Sequence, residues 1–118
     1  PNVLAKIVRQ VEDLIHDANR ADVNLTADVI GQRPAGDIPA DHPLVQLAVD
    51  CTYEAGLEAV LTSGSTDANI PLSQGFPAVV MGITTGGSAH TTHEYINTEP
   101  ITKGMEIIVR FVERAGSL

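Results

Sequence analysis

Residues 78–90 read Ala78-Val79-Val80-Met81-Gly82-Ile83-Thr84-Thr85-Gly86-Gly87-Ser88-Ala89-His90 and join an apolar run to a glycine-rich segment. The run from Ala78 to Gly82 is almost continuously apolar, which is typical of a strand that is covered on both sides, as in a parallel sheet. The glycines that follow favour an exposed loop. The fold prediction therefore starts from a buried strand that leads into this loop.

Helical and strand-like segments alternate on either side of that strand. Asp41 as the cap and Pro43 in the first turn predict a helix that ends at Gly56. A short strand is predicted at 57–61, and a short helix that Asn69 or Ser65 caps ends at Gly75. Pro100 opens a last helix, for which we predict the inward residues Ile101, Met105, Ile108, Val109 and Val112. This order indicates an α/β fold, a partial parallel sheet flanked by helices.

The first 30 residues have a different organisation. Apolar residues recur every three or four positions from Leu4 to Ala18, which predicts an amphipathic helix. Val23 to Val29 then alternate apolar and polar residues, as in a strand with one buried face. Three prolines and two glycines in 31–43 predict a crossing loop. We therefore divide the chain into 1–36, a helix-strand piece of an α+β domain, and 37–118.

Composition and charge exclude several classes of function. The net charge of −8 opposes binding to nucleic acid through a phosphate-neutralising surface. Cys51, the single cysteine, lies in an apolar helical pattern and is predicted to be a core residue, which suits a reducing cytoplasm. No apolar run approaches the roughly 20 residues of a membrane span. The sequence thus favours a cytoplasmic protein that binds neither nucleic acid nor membrane.

The segment from Gly86 to Ile96 contains the best candidate for chemistry, because His90, His93 and Glu94 lie close together in it. Imidazole is a common zinc ligand, and Glu94 is an acceptor that could orient the ring of His90. A zinc site requires three or four protein ligands, and this loop offers at most three. The alternative that its histidines simply face solvent stays open.

A second polar loop follows the predicted strand at 57–61. Ligands of α/β folds bind beyond the carboxyl ends of the strands, so we expect Thr62–Asn69 to lie beside the loop that contains Gly86 and His90. Neither loop has the lysine of a phosphate-binding loop, so nucleotide binding is only weakly supported. For Ser65 and Asp67, plain helix capping is the alternative.

Three motifs occur together in order and spacing: Arg33-Pro34-Ala35, Gly64-Ser65-Thr66-Asp67-Ala68-Asn69, and Gly86-Gly87-Ser88-Ala89-His90 with Glu94-Tyr95-Ile96. This pattern resembles the C-terminal part of the zinc hydrolases that include peptidase T, carboxypeptidase G, acetylornithine deacetylase and aminoacylase. The resemblance implies an α/β catalytic domain with two zinc ions and a smaller lid domain that usually forms a homodimer. It also implies that 1–36 is the end of the lid or dimerisation domain and that 37–118 is the C-terminal part of the catalytic domain.

The resemblance assigns roles to individual residues. His90 matches a zinc ligand, the histidine four residues before the glutamate, whereas His93 matches none. Arg33 resembles the arginine that receives the carboxylate of a peptide or acylamino acid, although a solvated loop arginine is the alternative. The floor of the substrate pocket is the role implied for Thr66, Asp67, Asn69, Gly86 and Gly87.

The implied activity is hydrolysis of amide bonds in small peptides or N-acylated amino acids by metal-activated water. The family's general base and most of its zinc ligands belong to an N-terminal half whose motifs this sequence lacks. We therefore expect a fragment that contains no catalytic residue of its own, binds zinc at most weakly and is inactive alone. A deacylase or desuccinylase of the same family, and a non-catalytic self-association module, remain as alternatives.

Overall fold

The computed structural model describes residues 2–118. In order along the chain, its elements are the helices and strands α1 (Asn2–Ala18), α2 (Pro43–Glu54), α3 (Asn69–Ser73), β1 (Gly86–Gly87), β2 (Tyr95–Ile96) and α4 (Ile101–Ala115). The chain divides into two compact units, the first ending at Ala35 and the second beginning at Gly36.

The first unit contains the predicted amphipathic helix, α1. Its apolar stripe is not buried, since Leu4 is 55% and Leu14 is 69% exposed. The strand predicted at 23–29 does not form, and the segment has a single bridge between Arg20 and Val23. Alternation alone does not supply the neighbouring strand that a strand needs for its hydrogen bonds.

Asn19 holds the segment after α1 in place of strand pairing. Its Oδ1 accepts the main-chain N–H of Leu25 at 2.6 Å, while its Nδ2 donates to the carbonyls of Ile15 and Leu25 at 3.0 and 3.1 Å. One side chain therefore hydrogen-bonds a carbonyl in the last turn of α1 and the main chain of Leu25 beyond it.

The core of the second unit lies between α2 and α4. Leu47, Cys51 and Ile107 form its buried centre, and the half-buried side chains packed against it are those of Ala55, Met81, Phe111 and Ala115. The predicted core position of Cys51 is confirmed, because its side chain is fully buried. Gly56, with φ of 74°, follows the end of α2 as predicted.

The prediction of the inward side of α4 was wrong in part, because Ile101 and Ile108 are half-buried but Met105, Val109 and Val112 are exposed. Gly104 and Ile107 are buried against the unit, whereas Met105 is 44% and Val109 is 51% exposed. Gly104 decides this orientation, because a methyl group at its Cβ position would overlap the carbonyl oxygen of Ile83. A glycine therefore lets the chain after Met81 cross directly over the helix, and periodicity among apolar residues does not reveal that contact.

The parallel sheet is not present among the described residues, whose strands form one two-stranded antiparallel sheet, β1–β2. The segments 57–61 and 78–82 have no strand assignment. Met81 packs against the core while Val80 is 63% exposed, so only one side of the second segment is covered. An apolar run predicts burial, but it does not provide the paired backbone that makes a strand. The observed elements are compatible with a piece of an α/β domain.

Candidate functional site

Gly86 and Gly87 form one strand of a hairpin whose loop, residues 88–94, contains His90 and His93. Gly86 pairs with Ile96 and Gly87 pairs with Tyr95 in an antiparallel register. A Cβ on Gly87 would lie 2.9 Å from the phenol ring of Tyr95, and one on Gly86 would overlap the Tyr95 carbonyl oxygen. Glycine is therefore required at Gly86, where the obstacle is backbone, whereas a side chain at Gly87 would have to displace the exposed Tyr95 ring. The glycine at position 86 thus has a structural reason that is independent of any ligand.

Asn97 closes the base of this hairpin, a role that the sequence analysis missed. Its main-chain N–H donates to the carbonyl of Thr85 at 2.8 Å, and its Nδ2 donates to the Thr85 hydroxyl at 2.7 Å. The hydroxyl of Thr84 donates to the carbonyl of Asn97 in turn. The signal in the sequence was weak, because an asparagine after a strand is an ordinary turn residue.

The loop between β1 and β2 contains two residues in left-handed backbone conformations. Ser88 has φ of 55° and His90 has φ of 64°, values that residues other than glycine rarely adopt. Thr91 braces the turn, because its hydroxyl donates to the carbonyl of Ser88 at 2.7 Å and accepts the N–H of His93 at 3.2 Å.

His90, the predicted zinc ligand, is an exposed residue at the tip of this loop. Its main-chain N–H donates to Oε2 of Glu94 at 3.2 Å. From the sequence, Glu94 is predicted to orient the imidazole ring. In the structure the carboxylate holds the backbone of His90, so its influence on the ring is exerted through the main chain.

The ligands of a zinc ion are only partly provided by the described residues. No three or more His, Cys, Asp or Glu side chains within 2–118 are grouped so that they could hold a metal. Because a protein zinc site uses three or four such ligands, His90 offers one imidazole and not a complete site.

The predicted substrate loop at 64–69 is organised by its own hydrogen bonds. The N–H of Thr66 donates to Oδ1 of Asn69 at 2.8 Å, and the N–H of Asn69 returns to the carbonyl of Thr66 at 3.0 Å. Asn69 is thus the first residue of α3, which follows Ala68 as the cap. The expectation that Asn69 or Ser65 is the cap residue was wrong, because Ala68 occupies the cap position and no side chain caps the helix. The side chain of Asn69 instead accepts the N–H of Thr66 in the preceding loop. Thr66 and Asn69 are half-buried, and Asp67 is exposed.

Arg33 lies in the first unit and is exposed, whereas Thr66, Asp67, Asn69, Gly86, Gly87 and His90 all lie in the second. The proposed adjacency of the loops at 64–69 and 86–90 stays a prediction.

Among residues 2–118, no helix has both the length and the apolar character to cross a bilayer. No curated protein and no solved structure matches the chain. The family model of peptidase family M20/M25/M40 matches residues 5–114. Because this match covers nearly the whole chain, the protein belongs to peptidase family M20/M25/M40.

Proposed function

We propose that this chain contributes to a zinc-dependent hydrolase that cleaves amide bonds in small peptides or N-acylated amino acids. The observation that carries the proposal is the family match over residues 5–114. Three motifs of the sequence, which end at Ala35, Asn69 and Ile96, support it because they stand in the family's order.

His90 is the zinc ligand in this proposal. The role is supported by the exposure of His90 and by the fixed shape of its loop. The loop is held by the pairing of β1 with β2 and by the hydrogen bond from the His90 N–H to Glu94. Zinc, when bound, would supply the positive charge that assists attack on an amide carbonyl. The general base and the other ligands would come from residues outside this chain, so we expect the 118-residue chain to be inactive alone.

Arg33 is the proposed receptor for a substrate carboxylate, since its planar guanidinium can bind a carboxylate with two parallel hydrogen bonds. We assign the pocket floor to Thr66, Asp67, Asn69, Gly86 and Gly87. In the complete enzyme, Arg33→Lys should weaken binding of substrates with a free carboxylate by about 1 to 3 kcal/mol, because the charge remains and the fork is lost. An unchanged KM would mean that Arg33 is a loop residue that does not bind the substrate carboxylate.

The two histidines of the loop provide a matched test of the zinc assignment. His90→Ala in the complete enzyme should remove metal at one position and lower turnover by orders of magnitude, because the activating charge is lost. His93→Ala changes the same residue type three positions away and should leave metal and turnover nearly unchanged. Metal analysis and steady-state kinetics on both variants measure this. Full zinc content and near-normal turnover in the His90→Ala enzyme would remove the basis of the proposal.

A deacylase or desuccinylase is the alternative within the same chemistry. Turnover of N-acetyl and N-succinyl amino acids against dipeptides would separate the two activities. The compartment we propose is the cytoplasm, because a single buried thiol and no disulfide suit a reducing environment.

Self-association, as a homodimer, is the second candidate function, and the open apolar face of α1 favours it. Its exposed members are Leu4, Ile7, Val8, Val11 and Leu14. Such a contiguous apolar stripe is commonly an interaction surface. Size-exclusion chromatography at high concentration should therefore show dimers or larger species.

A pair of substitutions with equal charge tests that surface. Val11→Asp places a carboxylate in the apolar stripe and should shift the chain to monomer. Gln10→Asp adds the same charge beside Lys6 and Arg9, on the polar side of the helix, and should leave association unchanged. A wild-type chain that is monomeric at all concentrations would exclude this function.

A further inference from the structure

The side chain of Glu94 reaches back four residues to the backbone of His90. Its Oε2 accepts the main-chain N–H of His90 at 3.2 Å, and its own N–H donates to the carbonyl of Thr91 at 3.2 Å. Both ends of the turn from His90 to Glu94 are thereby connected by polar contacts within one short segment.

We propose that Glu94 is a positioning residue for His90, which it fixes by holding the backbone of that residue in the left-handed conformation. The inference rests on the proposed role of His90 as a zinc ligand. It adds a residue whose carboxylate acts on the main chain of His90.

The left-handed conformation of His90 requires a compensating interaction. A residue with a Cβ is disfavoured at φ of 64°, and such conformations persist where the surroundings enforce them. A hydrogen bond to an ionised carboxylate is stronger than one to a neutral acceptor. Glu94 therefore supplies a local force that opposes relaxation of His90 to an extended backbone.

The direction of the imidazole depends on that backbone. If φ of His90 returned to negative values, the Cα–Cβ bond would turn and the ring would point elsewhere. The hairpin base at Thr85 and Asn97 and the brace from Thr91 to Ser88 hold the rest of the loop. His90 itself is held by the contact from Glu94, so the loss of this contact should affect it first.

Amide hydrogen exchange on the metal-free chain tests the clamp without any zinc chemistry. Glu94→Gln keeps an acceptor oxygen at the same reach, and Glu94→Ala removes it. Both variants are neutral at position 94, so the effect of charge on intrinsic exchange cancels between them. The His90 amide should exchange about tenfold faster in the Ala variant than in the Gln variant, as expected for one lost hydrogen bond.

A second measurement separates this inference from the proposed function. In the complete enzyme, Glu94→Ala should weaken zinc binding by roughly tenfold or more, as is usual for residues that orient a ligand, and Glu94→Gln should restore most of it. Loss of zinc in His90→Ala with equal zinc affinity in the two Glu94 variants would overturn the positioning role and leave the ligand assignment intact.

A control guards against a general loss of folding. Ser88→Gly relieves the other left-handed residue, at φ of 55°, and should leave the His90 amide protected. Glu94→Asp keeps the charge but shortens the side chain, so its His90 amide should exchange about as fast as in Glu94→Ala. It provides a second variant in case Glu94→Ala does not fold. Equal His90 exchange rates in the wild-type chain, Glu94→Asp and Glu94→Ala would overturn the proposal.

Discussion

The side chain of His42 caps the N-terminus of α2. The Nδ1 atom accepts the main-chain N–H of Leu44 at 3.1 Å, and Pro43 follows as the first helical residue. The prediction that Asp41 caps this helix was wrong. Aspartate is the more common capping residue, but here the imidazole of His42, one position later, accepts the free N–H. An imidazole nitrogen meets the same requirement, since any acceptor at that distance satisfies the free amide.

The cap of α2 should therefore contribute measurably to stability. His42→Ala should lower the free energy of unfolding by about 0.5 to 2 kcal/mol, the usual value of a lost cap. His42→Asn offers an oxygen to the same N–H and should retain most of the stability. Urea denaturation followed by circular dichroism compares them, and equal losses in both variants would contradict the capping role.

At the scale of the elements, Gly104 determines how closely the chain at Ile83 approaches α4. Gly104→Ala gains roughly 1 kcal/mol of helix propensity. The added methyl group overlaps a backbone carbonyl, and overpacking of this kind costs about 1 to 3 kcal/mol. We expect net destabilisation. Gly116→Ala, at the end of the same helix with φ of −66°, would place its Cβ at an ordinary contact distance of 3.9 Å from two carbonyl oxygens and should be neutral or slightly stabilising. Thermal unfolding of both variants checks the difference.

An ion-pair cluster connects the ends of the two core helices. Glu54 of α2 lies 2.8 Å from Nη1 of Arg114 and 3.4 Å from Nη1 of Arg110, both on α4. The hydrogen bond from Arg114 is the main cause that lowers the pKa of Glu54, and the same bond raises the pKa of Arg114. These groups are well exposed, so the pairs add modestly to stability.

The lowered pKa of Glu54 sets the pH range of that contribution. A carboxyl group with a depressed pKa in the folded state stabilises the fold above its unfolded pKa and loses this effect as pH falls through the folded value. Glu54→Gln should thus lower Tm at pH 7. The difference from the wild type should shrink as the pH falls below the ordinary glutamate pKa of about 4.3 and disappear below the lowered pKa of Glu54. Added salt should reduce the difference at neutral pH as well. A Tm difference between Glu54→Gln and the wild type that persisted at low pH would mean that the substitution acts through packing and not through charge.

At the scale of the whole molecule, local signals were predictable and long-range partners were not. The amphipathic helix α1, the stop at Gly56, the start of α4 after Pro100 and the core position of Cys51 all follow from spacing and capping along the chain. The sheet and the inward side of α4 depend on which other segment approaches. That information lies in contacts such as Gly104 with Ile83, which no periodicity encodes.

The candidate site shows the same division. The glycine-rich turn and the exposed loop at His90 were predictable from residue types. The left-handed backbone there, the closure by Asn97 and the actual partner of Glu94 were not, because each depends on the three-dimensional course of the loop. Motif matching located the residues without giving their contacts.

Metal removal provides a prediction for the chain as a whole. Because one imidazole cannot replace a full ligand set, zinc should bind the 118-residue chain weakly, and a chelator should leave its unfolding transition unchanged. Isothermal titration and thermal unfolding with and without chelator measure the two effects. Tight binding of one zinc per chain would mean that His90, His93 and Glu94 form a site of their own.

Cys51 has a practical consequence of another kind. It is the only thiol in the sequence, its side chain is fully buried between α2 and α4, and Nη1 of Arg114 lies 3.8 Å from its sulfur. A thiol-reactive dye can reach it only when the two helices separate. The rate of labelling in native buffer therefore reports how readily α2 and α4 separate, and the measurement needs no engineered cysteine.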